Sequence, residues 1–565
     1  MKFSEMTYQR PDFDGLYEKF KDLTHKMENA KDANALFLAN EEINRLGATL
    51  STAASLCHVR HSIDTRDAFY EEEQNQMDEQ LPRFQEISSS CARIVLASPF
   101  KEQFAEKYGR HLLEKYELRL KTFKPEIIEE LVEENKLSSA YEKLIASAQI
   151  EFDGQTYNLS GMTPLMQSTD REMRRRANDA MWGWMAEHQD ELDDLYDKLV
   201  KVRHRIGVKL GYKNFIPVAY ARMGRTDWNQ QDAKGYREQI AAAVVPFAQK
   251  LYKEQAQRLG IDDMKNFDYT LEFLSGNPKP QGEEAYLVRQ AQTMYSELSK
   301  ETGAFFNMMV DCELMDLTTK PGKRGGGFMT SFPDYKVPFI FSNFNGTSGD
   351  VDVLTHEAGH AFQGYLQRDI VNEDLKDMTM EVAEIHSMSM EFFTHPWMEK
   401  FFGPDTEKYF YSHVADAVKF LPYGASIDEL QEWVYEHPEA TPEERRAQYR
   451  KIEHKYLPHL DYNGLAYLEK GGRWQKQAHV YSMPFYYLDY TISQVCAFQY
   501  FVWDMKDHKA AWHSYLDICK KAGLVPFKQL VKECGLENPF EDGCIAKVMA
   551  ELEKYMDSLD KSKIK

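Results

Sequence analysis

Residues 346–366 of the chain read GTSGDVDVLTHEAGHAFQGYL. Apolar residues recur at intervals of three or four between Val351 and Tyr365, which is the spacing of one buried helix face. Ser348 or Asp350 can cap the first turn of such a helix. The stretch therefore predicts a helix that presents several side chains together on a single face.

His356 and His360 lie one helical turn apart in this stretch. Two imidazoles at that spacing can hold one zinc ion, and Glu357 can reach a water bound to the ion. Zinc lowers the pKa of such a water, so Glu357 would take its proton and return it to the leaving nitrogen of a cleaved peptide. The motif arises by chance in roughly one chain of this composition in twenty, so other residues must decide.

A catalytic zinc site needs a third protein ligand. The metzincin pattern would place glycine and histidine three and six residues after His360, where this chain has Gln363 and Leu366. A second helix, predicted over about residues 378–393, offers a different source of the third ligand.

This second helix carries Glu381, Glu384 and Glu391 on one face. Such a stripe can be a solvated acidic face, but within so apolar a helix it calls for a buried partner. We predict Glu384 as the third ligand. His386 is the rival, but it points to nearly the opposite side of the helix from Glu384 and fits a core position better.

A glycine-rich stretch at residues 320–327 precedes an apolar segment at 335–341, and Asn345-Gly346 follows. The order predicts a loop, a strand and a turn. Pro338 has no N–H to donate, so the strand should be an edge strand or should pair on one side only. An edge strand beside a catalytic centre could bind an extended peptide.

Helical periodicity dominates from residue 15 to about residue 147, resumes from about 170 to 210 and again from 230 to 259, and a hairpin turn is predicted at Asp153-Gly154. Gly207 and Gly211 interrupt the second helical region, and we expect a domain boundary near residue 200. The prediction is an N-terminal helical lobe over residues 1–200 and a catalytic lobe over residues 201–565.

The bulk properties exclude several classes of protein. A formal net charge of -21 argues against nucleic-acid binding. The seven cysteines form no Cys-x-x-Cys pair, which disfavours a disulfide framework or a thiolate zinc site. The N-terminal residues do not resemble a signal peptide, and no run of about 18 apolar residues occurs, so we expect a cytoplasmic protein without membrane contact.

Several segments together resemble the thimet oligopeptidase and oligoendopeptidase F metallopeptidases, and bacterial oligoendopeptidase F and Pz-peptidase types in particular. The likeness lies in Glu384 with Glu391 and in residues 322–327, 338–346, 356–363 and 479–490. It implies a mainly α fold of the neurolysin-like zincin type. In that fold an elongated, two-lobed helical body surrounds a deep central channel, and a small β-sheet lies beside the zinc.

The resemblance also implies roles for individual residues. Glu384 corresponds to the third ligand of a single zinc ion, and His479 and Tyr490 correspond to residues that contact the substrate and the oxyanion. A further tyrosine of that set is either Tyr486, our choice, or Tyr487. Phenol groups fixed in a water-poor channel can stabilise a developing oxyanion.

The predicted function is a zinc-dependent endopeptidase that cuts short unfolded peptides; the sequence does not predict its oligomeric state. One departure from the thimet branch is Ile385-His386-Ser387 after Glu384, where that branch has Ala-Pro-Ser, so its specificity rules are not carried over.

Three other functions share part of this pattern. A zinc carboxypeptidase of similar helical fold would share the motif and Glu384. A helical peptide-binding protein with an inert zinc is disfavoured because it has no use for Glu357. A phosphate-binding loop at Gly322-Lys323 is rejected, because the pattern requires glycine and a hydroxyl residue where Leu317 and Arg324 stand.

Overall fold

The computed structural model describes residues 1–320 and 322–564, so Pro321 of the predicted loop and Lys565 lie outside the described residues. The chain is mainly α-helical, as predicted, with two small sheets. Its residues form two compact units, each assembled from three separate stretches. The first unit contains residues 1–121, 279–404 and 499–536, and the second contains residues 122–278, 405–498 and 537–565.

The first unit combines helices with a three-stranded sheet. Its helices are α1 (Phe13–Glu28), α2 (Ala33–Ile63), α3 (Ala68–Gln80), α4 (Pro82–Ala97), α5 (Lys101–Tyr108), α6 (Arg110–Lys121), α14 (Glu284–Leu298), α15 (Lys300–Asp311), α16 (Gly349–Leu366), α17 (Glu373–Lys376), α18 (Met380–Phe393), α19 (Glu399–Phe402), α25 (His508–Lys521) and α26 (Phe527–Glu533). Its strands are β3 (Met315–Thr318), β4 (Phe328–Phe332) and β5 (Val337–Phe344).

The second unit is helical apart from one hairpin. Its elements are α7 (Ile128–Ala146), β1 (Ile150–Phe152), β2 (Gln155–Tyr157), α8 (Thr163–Met166), α9 (Arg171–Glu187), α10 (Gln189–Leu210), α11 (Ile216–Arg222), α12 (Gln230–Gln239), α13 (Val245–Leu259), α20 (Thr406–Glu436), α21 (Pro442–Tyr456), α22 (Ala466–Glu469), α23 (Ala478–Ser482) and α27 (Cys544–Ser558). Helix α24 (Tyr487–Lys506) continues from this unit into the first.

The sheet of the first unit has the order β3-β5-β4, so β5 is central and the prediction of an edge strand is wrong. The alternative, that Pro338 pairs on one side only, is confirmed. Pro338 faces Ser331 of β4, whereas pairing with β3 begins at Ile340, whose N–H donates to the carbonyl of Leu314 at 3.0 Å. Alternate N–H groups of a strand point the same way, so the missing N–H of Pro338 faces the β3 side before β3 begins.

Local turn chemistry is confirmed at the hairpin. Asp153 and Gly154 have φ values of 49° and 79°, the positive angles that a two-residue hairpin turn of this kind requires. Strands β1 and β2 pair antiparallel on either side of them. The pattern of a turn dipeptide between alternating apolar residues was therefore sufficient to place this element.

The predicted boundary near residue 200 falls inside α10. Gly207 lies within that helix, where a Cβ atom would approach the carbonyl oxygen of Asn214 to 2.7 Å, and only Gly211, with φ 97°, ends it. Gly207 therefore serves a close backbone approach and does not interrupt the helix, which corrects the reason given for the boundary. The division into residues 1–200 and 201–565 stays a prediction, as does the channel between two lobes.

Two further findings concern the chain as described. None of its helices combines the length and the apolar character needed to cross a bilayer. All seven cysteines are free thiols, and six of them are buried.

Candidate metal centre

Helix α16 begins where the motif predicted, but its first turn is held differently. Ser348 occupies the N-cap position in the αR conformation and makes no capping hydrogen bond. Asp350 accepts hydrogen bonds from the backbone N–H groups of Asn345 and Gly346, each at 2.8 Å. The expectation of a capping side chain is therefore wrong, because Asp350 braces the preceding turn and Ser348 lacks the extended backbone that a cap needs.

Helices α16 and α18 cross in close contact at Gly359. A Cβ atom at Gly359 would lie 2.6 Å from the carbonyl oxygen of His386 and 2.7 Å from the Cα atom of Ser387. Neither atom can move aside without moving the backbone of α18. Glycine at the centre of the motif thus sets the distance between the helix that carries the histidines and the helix that carries Glu384.

The crossing brings the three predicted ligands together. One Glu384 carboxylate oxygen, Oε2, lies 3.2 Å from Nε2 of His356 and 3.5 Å from Nε2 of His360. One ligand atom from each of the three residues falls within 4.8 Å of the others, the separation expected of groups that could share a metal ion. Glu384 is only 4% exposed. Ser387 donates to the same carboxylate oxygen at 2.9 Å.

Glu391 holds the other nitrogen of His356. Its Oε1 lies 2.6 Å from Nδ1 of that ring, seven residues along α18 from Glu384. Burial disfavours the charged imidazole, but the hydrogen bonds of Glu384 and Glu391 outweigh it and raise the pKa of His356 well above its ordinary value. The cluster therefore holds a proton tightly, and binding of a metal ion would release it.

Glu357 lies beside this cluster and is only 7% exposed. Its Oε2 is buried without a hydrogen-bond partner among the described residues. Burial raises the pKa of the Glu357 carboxyl, while the charges of His360 and His356 act in the opposite direction. A buried carboxylate with an unused oxygen is a rare and costly feature, which is typical of a functional group.

The predicted glycine-rich loop packs over Glu357. A Cβ atom at Gly327 would lie 3.6 Å from Oε1 of Glu357. The amide of Asn343 on β5 donates to the carbonyls of Arg324 and Gly326 at 2.8 and 2.7 Å. The loop is thus fixed to the sheet, and its lack of side chains leaves room next to the carboxylate.

The other candidates on α18 lie outside the cluster. Glu381 is buried in the first turn of that helix. His386 is buried on another side, with its carbonyl accepting from the hydroxyl of Tyr515 at 2.8 Å, and burial lowers the pKa of its imidazole to about 3. His386 is thus a neutral residue of the packed interior in this structure.

The predicted substrate residues form an aromatic cluster of their own in the second unit. The His479 ring lies 5.3 Å from those of Tyr486 and Tyr487 and 5.6 Å from that of Tyr490. Gln477 makes a 2.7 Å hydrogen bond to Nδ1 of His479. Tyr486 is only 5% exposed, whereas Tyr487 and Tyr490 are half-buried on the first turn of α24.

The fold and the site define a class of mainly α-helical proteins with a candidate metal site. That site consists of two histidines and a glutamate, His356, His360 and Glu384, with the buried Glu357 beside them. Residues 164–550 match Peptidase family M3, and residues 3–123 match the Peptidase M3 N-terminal domain. The chain therefore belongs to peptidase family M3.

Solved structures agree over the full length. The chain is 48% identical to a protein described as oligoendopeptidase F, with a TM-score of 0.95 and 99% of each chain covered. It is 46% identical to Pz peptidase A, solved with an inhibitor, with a TM-score of 0.96 and all of both chains covered. A structure described as oligoendopeptidase F from Bacillus anthracis is 44% identical with a TM-score of 0.91, covering 100% of this chain and 99% of that one.

A curated relative is more distant. The chain is 25% identical over 240 residues to oligoendopeptidase F, chromosomal, of Lactococcus lactis subsp. cremoris. That alignment covers 40% of this chain and 36% of the relative's length.

The roles of Gly359 and Ser387 and the contact of Glu391 with His356 were not predicted from the sequence. Glu391 stood in the predicted stripe, but its contact with Nδ1 depends on how two helices cross. The glycine within the motif was a usable signal, because a helix interior otherwise disfavours glycine by about 0.5–1 kcal/mol and implies a packing reason.

Proposed function

We propose that this protein is a zinc-dependent endopeptidase that hydrolyses internal bonds of short, unfolded peptides. The observation that carries the proposal is the cluster of His356, His360 and Glu384 beside the buried, partly unpaired carboxylate of Glu357. Membership of peptidase family M3 supports the reaction class.

The donor set suits zinc. Two imidazole nitrogens and one carboxylate oxygen form the ligand set typical of catalytic zinc, which keeps a further position open. His356, His360 and Glu384 would hold the ion, with Glu391 fixing the His356 ring. When bound, zinc would polarise the peptide carbonyl and lower the pKa of a water molecule.

Glu357 supplies the proton transfers in this proposal. Its carboxylate accepts the proton of the attacking water and donates it to the leaving nitrogen. Its burial keeps bulk water away, and the glycine loop at Gly327 leaves space beside it. No covalent bond to the enzyme is required.

The residues of the second unit enter the proposal through the family resemblance alone. His479 and Tyr490 would donate hydrogen bonds to the peptide and to the developing oxyanion. Tyr487 is half-buried and shares the first turn of α24 with Tyr490, whereas the Tyr486 side chain is buried, so exposure favours Tyr487 as the second phenol.

Tyr490→Phe should then lower kcat more than it changes KM. A cytoplasmic location also stays a prediction.

The decisive test replaces Glu357 by Gln. The variant should bind zinc normally and lose turnover of an internally quenched peptide by about a hundred- to ten-thousandfold, because it retains the ligands and loses the base. Glu373→Gln, which changes another carboxylate of the first unit, is the control and should keep full activity. Turnover retained by Glu357→Gln would contradict the assignment of the base.

Product analysis separates endopeptidase from carboxypeptidase activity. Peptides blocked at both ends should be cut at internal bonds, with fragments identified by mass spectrometry. Stepwise loss of single C-terminal residues from unblocked peptides, with blocked peptides left intact, would contradict the proposal.

A further inference from the structure

A cavity of about 350 Å³ lies wholly within the second unit. Residues of α9, α20 and the stretches 252–270 and 457–476 line it. Aromatic side chains form much of the wall, including Trp182, Tyr252 and Tyr423. Its volume is of the order of an amino-acid residue or a dipeptide, and its lining is polar as well as aromatic.

Two asparagines in the wall leave a donor and an acceptor unused. The amide of Asn266 donates to Oδ1 of Asn178 at 3.1 Å. Nδ2 of Asn178 and Oδ1 of Asn266 are buried and have no hydrogen-bond partner among the residues described. Asn178 is only 2% exposed. A neighbouring donor and acceptor match the single N–H and C=O of a peptide group.

The cavity also carries more positive than negative charge. Its lining contains Lys419, Arg473 and Lys476 against one acidic residue, Asp416. The Lys476 side chain is exposed overall and forms no ion pair within 4 Å with the described part of the chain, and loss of water around its ammonium group together with the charge of Arg473 lowers the pKa of that group. A carboxylate placed between Arg473 and Lys476 would relieve this repulsion.

The carboxylates behind the wall do not remove this excess. Glu272 is shared by Lys419 and by Arg258, the latter at 2.6 Å. Glu453 is shared by Arg450 at 3.1 Å and by Arg473 at 3.6 Å. Nη1 of Arg473 has no hydrogen-bond partner among the described residues. That donor is buried in the wall of the cavity, and at 3.6 Å from Glu453 it lies beyond hydrogen-bond distance of that carboxylate.

A hydrogen-bonded chain leads from the cavity to the aromatic cluster. The hydroxyl of Tyr423 donates to Oε1 of Gln477 at 3.3 Å, and Gln477 is bonded to His479. The Tyr423 ring lies 5.7 Å from the Tyr487 ring. The cavity therefore adjoins residues that the proposed function assigns to peptide binding.

We propose that this cavity binds a carboxylate-bearing segment of a peptide. The carboxylate contacts Arg473 and Lys476, an adjacent peptide group pairs with Asn178 and Asn266, and an apolar side chain packs on the aromatic wall. The inference rests on the proposed function, because it takes the peptide to be a substrate or product of the enzyme.

The test measures binding without turnover. Full-length Glu357→Gln protein, freed of metal by chelator so that no ion can bind the carboxylate, is titrated calorimetrically with N-acetyl-Ala-Phe and with its C-terminal amide. The free acid should bind at least about tenfold more tightly, as expected for a charge-assisted hydrogen bond. Equal affinities would overturn the proposal.

Matched variants locate the binding site. Arg473→Gln should abolish the preference for the acid. Lys476→Met is the milder change, should reduce the preference severalfold, and serves as the test if Arg473→Gln does not fold. Arg450→Gln shares Glu453 but does not line the cavity, and it should keep the preference. A preference that survives Lys476→Met unchanged, or that falls as much in Arg450→Gln, would overturn the site.

A third probe, N-acetyl-Ala-Asp-amide, identifies the source of the carboxylate. If this probe binds as tightly as N-acetyl-Ala-Phe, the cavity binds a side-chain carboxylate. If it binds weakly, the cavity binds the carboxylate at the C-terminus of a peptide. Hydrolysis by the zinc-loaded wild-type protein is measured separately. If no hydrolysis occurs but the free acid still binds more tightly than the amide, the proposed function is overturned and the assignment of the cavity stands.

Discussion

The hydrogen bond between Glu391 and His356 fixes which ring nitrogen points at Glu384. With Nδ1 of His356 held at 2.6 Å, Nε2 is the nitrogen left facing the cluster. Partners of this type, behind a metal-binding histidine, typically change metal affinity by about 10–100-fold. Residue identity at position 391 should therefore matter although Glu391 is not in the ligand set.

We predict that Glu391→Gln weakens zinc binding by about 10–100-fold, because a neutral amide holds the imidazole less firmly than a carboxylate. Competition with a chromophoric chelator at fixed pH measures this change. Glu373→Gln is the control and should bind zinc as the wild type does. An unchanged dissociation constant in Glu391→Gln would show that the ring is held by packing alone.

Individual positions also show what a single sequence can reveal. His356, Glu357 and His360 were predictable because their geometry depends on helix periodicity alone. The contact of Glu391 with His356 was not, because it depends on the rotation of α18 against α16. The prediction for Asp350 failed for a local reason, because its partners lie in the preceding turn and not in the helix that it was expected to cap.

At the scale of elements, the crossing of α16 and α18 depends on one missing side chain. We predict that Gly359→Ala destabilises the protein by about 1–3 kcal/mol, the usual cost of overpacking. It should also lower zinc affinity, since a Cβ atom there meets the backbone of α18 at 2.6 Å. Thermal unfolding and zinc titration measure the two effects.

Gly364 in the same helix is the matched control. A Cβ atom there would meet its nearest neighbour, Oγ of Ser331, at 3.6 Å, which is ordinary contact. Gly364→Ala should keep zinc affinity and gain up to about 1 kcal/mol from helix propensity. Equal behaviour of the two variants would contradict the role given to Gly359.

A buried ion pair joins α7 to α10 in the second unit. Glu134 accepts from Arg203 at 2.7 Å and from Arg222 at 2.9 Å, and the Arg203 side chain is fully buried. Burial alone would raise the pKa of Glu134, but the two arginines outweigh it and lower the pKa below the ordinary value. The stabilisation is therefore fully present above the unfolded-state pKa of about 4.3 and is lost as the pH falls below it.

We predict that Glu134→Gln lowers the free energy of unfolding by about 3–5 kcal/mol at pH 7, because it leaves Arg203 without its buried carboxylate. Urea unfolding at several pH values should show the gap to wild type narrowing as the pH falls below about 4. Glu133→Gln, which breaks the exposed neighbouring pair with Arg205, should cost no more than about 1 kcal/mol. A gap that does not depend on pH would contradict the linkage.

For the whole molecule, the architecture was predictable where its determinants are close in sequence, and the predicted place of β5 in the sheet was wrong because its determinant is distant. Helical content and the hairpin at Asp153-Gly154 follow from periodicity and turn chemistry. The central position of β5 does not, because its parallel partner β3 comes some twenty residues earlier and pairs only beyond Pro338. The two compact units each join three stretches that are far apart in the chain, which a pattern read along the sequence does not reveal.

Residues 1–121 belong to the same unit as the metal centre and pack against its sheet. The N–H of Phe3 donates to the carbonyl of Cys312 at 2.8 Å, and its ring lies 4.6 Å from that of Phe339 on β5. On α2, the hydroxyl of Ser55 lies 3.2 Å from that of Thr330 on β4. Residues 1–121 thus cover the sheet on which the glycine loop is fixed.

We predict that a chain of residues 122–565 alone takes up no zinc, because the sheet and α16 lose this cover, and that co-expressed residues 1–121 restore uptake. A full-length protein with a protease site inserted between Lys121 and Thr122 is the control, and it should keep its zinc after cleavage. Metal analysis of the purified proteins measures the outcome. Zinc bound by residues 122–565 alone as tightly as by the full chain would show that the metal centre is stable without residues 1–121.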